Sequence, residues 1–146
     1  MIIDHIGVAV SSLQRGIDEW ATLFGYRQVA AAVENSRQKV RVVFLGKEGS
    51  MVVKLVEPTA VDSPIAGFVR RGGGLQHLCF RCSDLAASVP QMKQGGARIL
   101  VNPEPGEAFQ NHPIAFCLTR GNVNIELIDT DEKGLFSPHE WDRGTS

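Results

Sequence analysis

The sequence lacks any stretch apolar and long enough to cross a bilayer. Runs such as Val42 to Leu45 and Met51 to Val53 fall far short of the roughly 20 residues a spanning helix needs. It also lacks a dominant charge. With 15 Lys+Arg against 16 Asp+Glu the net charge is −1, which supplies no basic face for nucleic acid or anionic lipid. Cysteine is scarce and odd in number, at three (Cys79, Cys82, Cys117), which argues against a disulfide framework. The first residues show no basic segment followed by an apolar one, so no secretory signal is expected. What remains is 146 residues, 43% apolar and 21% charged. That profile implies one soluble, cytoplasmic domain with a core that needs no staples.

The first strand alternates, with Ile6, Val8 and Val10 on one face and His5, Gly7 and Ala9 on the other. Ser11 and Ser12 offer a cap for a helix through Leu13, Ile17, Trp20, Ala21 and Phe24, which Gly25 stops. Strands are expected at Tyr26 to Val33, Gln38 to Leu45 and Met51 to Val56. A short helix opens at Asp62-Ser63-Pro64 and runs to Arg71, and Gly72-Gly73-Gly74 link it to a strand at Leu75 to Cys82. Asp84 caps a helix to about Gln94, in which Pro90 should cost about 3 kcal/mol or introduce a kink. Arg98 to Val101, Pro113 to Leu118 and Val123 to Asp129 complete the strands.

The halves repeat. Asp4-His5-Ile6-Gly7-Val8-Ala9-Val10-Ser11-Ser12-Leu13 lies over Gln76-His77-Leu78-Cys79-Phe80-Arg81-Cys82-Ser83-Asp84-Leu85 without a gap. Val52 to Glu57 lies over Asn124 to Asp129, so that Lys54 falls on Glu126, and each of the two stands 49 residues after its own half's histidine. His5, Lys54, His77 and Glu126 each interrupt an apolar strand face. Taken singly, a strand histidine is a half-buried residue with a satisfied hydrogen bond. Two in register, with a carboxylate, are a set suited to a divalent Zn, Fe, Co, Ni or Mn ion.

These residues carry a family resemblance. Asp4 to Val10, Asp62 to Phe68, Gly73 to Phe80 and Ile125-Glu126-Leu127 are similar to the vicinal oxygen chelate superfamily, which includes glyoxalase I, bleomycin-resistance proteins, extradiol dioxygenases and methylmalonyl-CoA epimerase. The epimerase branch is the most similar, over roughly residues 2 to 129. The resemblance implies an α+β fold, two tandem βαβββ modules forming one curved eight-stranded mixed sheet with helices on the convex face. Module one is then 1–57, a linker helix 58–74, module two 75–129, and a tail 130–146. It also implies a homodimer and a small-molecule substrate.

Epimerases of this family hold a divalent ion with two histidines, a glutamine and a glutamate. His5, His77 and Glu126 match three of those positions as metal ligands; Lys54 stands at the glutamine's. The family's catalytic glutamate aligns with Arg37 in Ser36-Arg37-Gln38-Lys39-Val40. Glu126 remains as the base and Lys54 as a second catalytic group. Arg37, Lys54, Cys79 and His112 are the expected substrate contacts. The expected function is a metal-dependent isomerase, epimerase or lyase acting on a small acyl-CoA or a 2-oxo/2-hydroxy acid, through proton abstraction and a metal-stabilised enolate. The alternatives are a metal-free site with Lys54 as its cation, a non-catalytic ligand-binding protein, or an Fe(II) oxygenase. In Cys79-Phe80-Arg81-Cys82 the two thiols should face opposite ways, and Pro103 to His112 should form a flap.

Overall fold

In the computed structural model of the chain, residues 1–133 are described; Phe136 and Trp141 of the expected tail lie outside them. The first half runs β1 (Ile2–Ala9), α1 (Leu13–Phe24), β2 (Arg27–Gln28), β3 (Val33–Asn35), β4 (Val40–Gly46) and β5 (Val52–Pro58). After α2 (Ala66–Arg70) the second half runs β6 (Gly74–Arg81), α3 (Leu85–Gln94), β7 (Arg98–Pro105), β8 (Pro113–Leu118) and β9 (Asn124–Ile128). All the strands join one open mixed sheet in the order β2-β4-β5-β1-β6-β9-β8-β7, with β3 also on β4. The fold is α+β.

The halves meet at the antiparallel β1–β6 pair, and each opening strand is parallel to its own closing strand. Gly7 pairs with Lys54 on one side and Cys79 with Glu126 on the other. Every member of the second pair sits 72 residues beyond its counterpart, the offset between His5 and His77. Helix entry repeats too. Ser12 accepts from Arg15 N at 3.3 Å and Asp84 from Ala87 N at 3.2 Å, caps each worth about 1 kcal/mol. Glu57 accepts from Leu13 N and Asp129 from Leu85 N, so each closing strand secures its own module's helix.

α1 and α3 cover one face of the sheet. Leu13, Ile17 and Trp20 pack on Val8, Leu45 and Leu55; Leu85, Val89 and Met92 pack on Cys117, Ile125 and Leu127. The other face carries a third cluster, including Val40, Val42, Phe44, Phe109 and Ile114. The short α2 lies on this face, with Phe68 and Val69 against that cluster.

Three local expectations change. Tyr26 to Val33 is not one strand: β2 and β3 pair with opposite ends of β4, separated by Val29 to Ala32. β7 continues past Val101 through Pro103 and Pro105, because it is the sheet's last strand and an edge tolerates missing N–H donors. The flap therefore shortens to the Gly106 to His112 loop, with one 3-10 turn at Glu107–Phe109. Pro90 does not interrupt α3; it and Ala86, whose carbonyl loses its partner, are both exposed.

Candidate functional site

The sheet brings four of the expected residues together on the face opposite α1 and α3. His5 of β1, Lys54 of β5, His77 of β6 and Glu126 of β9 are all buried, His5 and Glu126 completely. Lys54 Nζ donates to both Glu126 oxygens, at 3.0 Å to Oε1 and 3.1 Å to Oε2. His5 Nε2 lies 3.1 Å from Oε2 and His77 Nε2 3.0 Å from the same atom. The His77 contact is off the hydrogen-bonding direction, so this buried nitrogen has no hydrogen-bond partner among the described residues.

Each imidazole is held from behind by the residue before it in the chain. His5 Nδ1 pairs with Asp4 Oδ1 at 2.7 Å, and His77 Nδ1 with Gln76 Oε1. These contacts fix both rings with their Nε2 atoms close to Glu126, His5 in hydrogen-bonding geometry and His77 not. Lys133 extends the first chain by donating to Asp4 Oδ2 at 3.1 Å. The His77 ring lies across β1 where Gly7 has no side chain: a Cβ there would fall 2.0 Å from Cε1.

Electrostatics follow from burial and pairing. Burial outweighs the opposing pull of the adjacent Glu126 carboxylate and, with the positive charge of Lys54, pushes the His77 pKa from 6.5 down to about 4, leaving the ring neutral at physiological pH. Burial alone would raise the Glu126 carboxyl, but Lys54, joined by the His5 hydrogen bond, outweighs it and holds it well below the usual range. Asp4 shows the same contest on a smaller scale, with His5 and Lys133 prevailing over burial. Burial and the Glu126 charge push the Cys79 thiol up, so it is not a thiolate nucleophile.

Lys54, His77 and Glu126 open onto a cavity of about 350 Å³. Its walls are aliphatic (Val40, Val42, Ile65, Ile114), with the amides of Asn35, Gln38, Gln76 and Asn124 between them. Phe109 roofs the site's inner end. It is fully buried, stacks on His5 at 6.0 Å between ring centroids, and lies 4.9 Å from Lys54 Nζ.

The remaining expected contacts fall elsewhere. Arg37 is exposed in the β3–β4 turn, and its neighbour Gln38 lines the cavity instead, donating to Glu104 at 2.7 Å. Cys79 is buried in the cluster on the cavity's side of the sheet but does not line the cavity; Cys82 packs on the helix side. His112 is exposed at the end of its loop. Glu107 accepts from Ser36 N and Oγ and ties that loop to the first half.

His5, His77 and Glu126 can hold a metal ion, with ligand atoms within 4.8 Å of one another. Lys54 changes that account. An ion bonded to Glu126 at about 2.1 Å lies no farther than about 5 Å from an ammonium seated 3.0 Å from the same carboxylate. At an effective dielectric of about 20 that repulsion is roughly 7 kcal/mol. Moreover, the two buried carboxylates, Asp4 and Glu126, are already balanced by Lys133 and Lys54. The three donors fit a divalent ion; the four residues together do not.

Comparison with known proteins agrees with this architecture. A model of the glyoxalase/bleomycin resistance protein/dioxygenase superfamily matches residues 4–116. The human mitochondrial methylmalonyl-CoA epimerase is 30% identical over 129 residues, 86% of this chain and 72% of that protein. The crystal structure of methylmalonyl-CoA epimerase from Mycobacterium tuberculosis superposes with a TM-score of 0.77 at 32% identity, covering 87% of this chain and 86% of that one. A methylmalonyl-CoA epimerase in complex with methylmalonyl-CoA and NH4+ superposes at 0.75 with 26% identity, covering 90% and 96%.

Proposed function

The chain belongs to the glyoxalase/bleomycin resistance protein/dioxygenase superfamily, and from that membership we propose that it is an isomerase of small acyl-CoA thioesters, one that removes and returns the proton beside the thioester carbonyl. The observation that carries this reading is the buried Lys54–Glu126 pair on the floor of the cavity. Removing such a proton needs a base and a positive group for the oxyanion that forms. Glu126 is the base and Lys54 the positive group. In the resting site Lys54 lowers the basicity of Glu126. As charge develops on the enolate oxygen, the ammonium serves that oxygen and releases the carboxylate to take the proton. The attraction lost at Glu126 is recovered where the transition state carries its charge.

His77 is neutral and presents an unpartnered Nε2 to the same space, a second position able to accept a proton, while Glu126 returns the proton it has taken. The aliphatic walls suit a short acyl chain. The relatives named as methylmalonyl-CoA epimerases support the substrate class, as does the one described in complex with methylmalonyl-CoA and NH4+. A divalent ion has no step in this reading, because the residues do not fit it. Every residue invoked comes from one chain, so a monomer and the expected homodimer serve equally.

The test is exchange in D2O. Incubation with methylmalonyl-CoA should place deuterium on its α-carbon, read by mass spectrometry, and Glu126→Gln should slow this about 10²- to 10⁴-fold. Binding of the thioester with no exchange above the uncatalysed rate would instead establish a non-catalytic binding protein.

A further inference from the structure

We propose that Lys54 is the resident cation of this site: its ammonium, seated on both Glu126 oxygens beneath Phe109, excludes divalent ions and makes the site independent of metal. Four observations converge on it. Lys54 and Glu126 occupy equivalent positions in the two halves, so the cation is built into the strand register and not delivered by a mobile loop. The ammonium contacts both carboxylate oxygens, which leaves neither free of a positive partner. Lys54 is only 5% exposed and is held from above by two rings, Phe109 at 4.9 Å and Phe44 at 6.0 Å. Finally, the neighbouring charges are already paired, the buried Lys54 with Glu126 and the partly buried Lys133 with Asp4.

What Lys54 keeps closed is a donor set otherwise ready for an ion. Both imidazoles are oriented from behind, and the His77 Nε2 lies unpartnered against the carboxylate. A neutral residue at position 54 therefore opens a three-donor site without further rebuilding. The ammonium's catalytic use rests on the isomerase reading above; its exclusion of ions does not.

The experiment measures Co(II) binding to the full chain by titration calorimetry and visible absorption, after chelator treatment, for wild type, Lys54→Gln and Lys54→Gln/His77→Ala. Lys54→Gln should bind Co(II) at least about a hundredfold more tightly than wild type. It should gain d–d absorption bands and melt higher with the ion, and both gains should vanish in the double variant. Chelator-treated wild type should keep its full rate of α-deuterium exchange. Wild type that binds Co(II) as tightly as Lys54→Gln, or that regains exchange only when the ion is added, overturns the proposal. The wild-type measurements decide the matter even if the variants do not fold. Absence of exchange with and without ion, in a wild type that still refuses Co(II), counts against the isomerase reading and leaves ion exclusion standing.

Discussion

His77 should make the protein sensitive to acid in a narrow and calculable window. Its ring is buried, and its pKa falls from 6.5 to about 4 on folding. A depressed pKa means that the folded state disfavours the proton. The stability tied to the neutral ring is therefore fully present above the unfolded value and is lost as pH falls toward the folded one. The full difference is on the order of 3 kcal/mol, and at pH 5.5 roughly 1–2 kcal/mol of it is already gone. For a domain of this size that corresponds to a melting shift of roughly 5 °C. Urea unfolding at pH 8 and pH 5.5 should show wild type losing roughly 1–2 kcal/mol more than His77→Gln. The comparison is between pH values within each protein, so any general cost of the substitution cancels. An identical acid limb in the variant, or a His77 proton resonance that titrates with a midpoint near 6.5, would refute the assignment.

Two further substitutions probe how the site is held. Gly7→Ala places a methyl within 2.0 to 2.4 Å of three His77 ring atoms; it should cost about 1–3 kcal/mol in urea unfolding and return the His77 resonance toward ordinary titration. Phe109→Ala removes the roof over Lys54 and His5 and should cost about 3–5 kcal/mol. Lys54, 5% exposed, should resist acetic anhydride in wild type and become modified in that variant, as read by peptide mass spectrometry.

The repeat made the centre of the site legible because strand registers are rigid. Once His5 and His77 are aligned, a constant offset places Lys54 on Glu126, and the sheet preserves that offset through both parallel strand pairs. The same offset relates Asp4 to Gln76 behind the two imidazoles and Phe44 to Phe116 beside them. Those pairs were visible in the aligned halves but carry no chemical signature by themselves. Phe109 was beyond reach for a different reason. Its burial comes from a loop folding back over the first half, tied by Glu107 to Ser36, and no local pattern encodes a contact between residues 71 apart. Arg37 shows the limit of position-by-position transfer. In a tight turn adjacent residues point in different directions, and it is Gln38 that reaches the cavity. The prolines of β7 signalled a loop because sequence does not mark which strand will be the edge.

The two halves also explain why the repeat had to become unequal at one position. Lys54 and Glu126 are equivalent by register, yet their charged groups stand 3.0 Å apart near the junction of the halves. Two identical carboxylates or two ammoniums at that separation would repel by about 5–6 kcal/mol at an effective dielectric of about 20, before the further penalty of burying unpaired charge. The histidines remain identical in the two halves, with ring centroids 5.6 Å apart. A symmetric fold with ionisable residues at its centre relieves that repulsion by placing opposite signs at equivalent sites, by recruiting an external ion or by keeping one group protonated. In this chain the opposite sign is covalently attached, and the proton-accepting and charge-stabilising groups differ in one side chain at a repeated position.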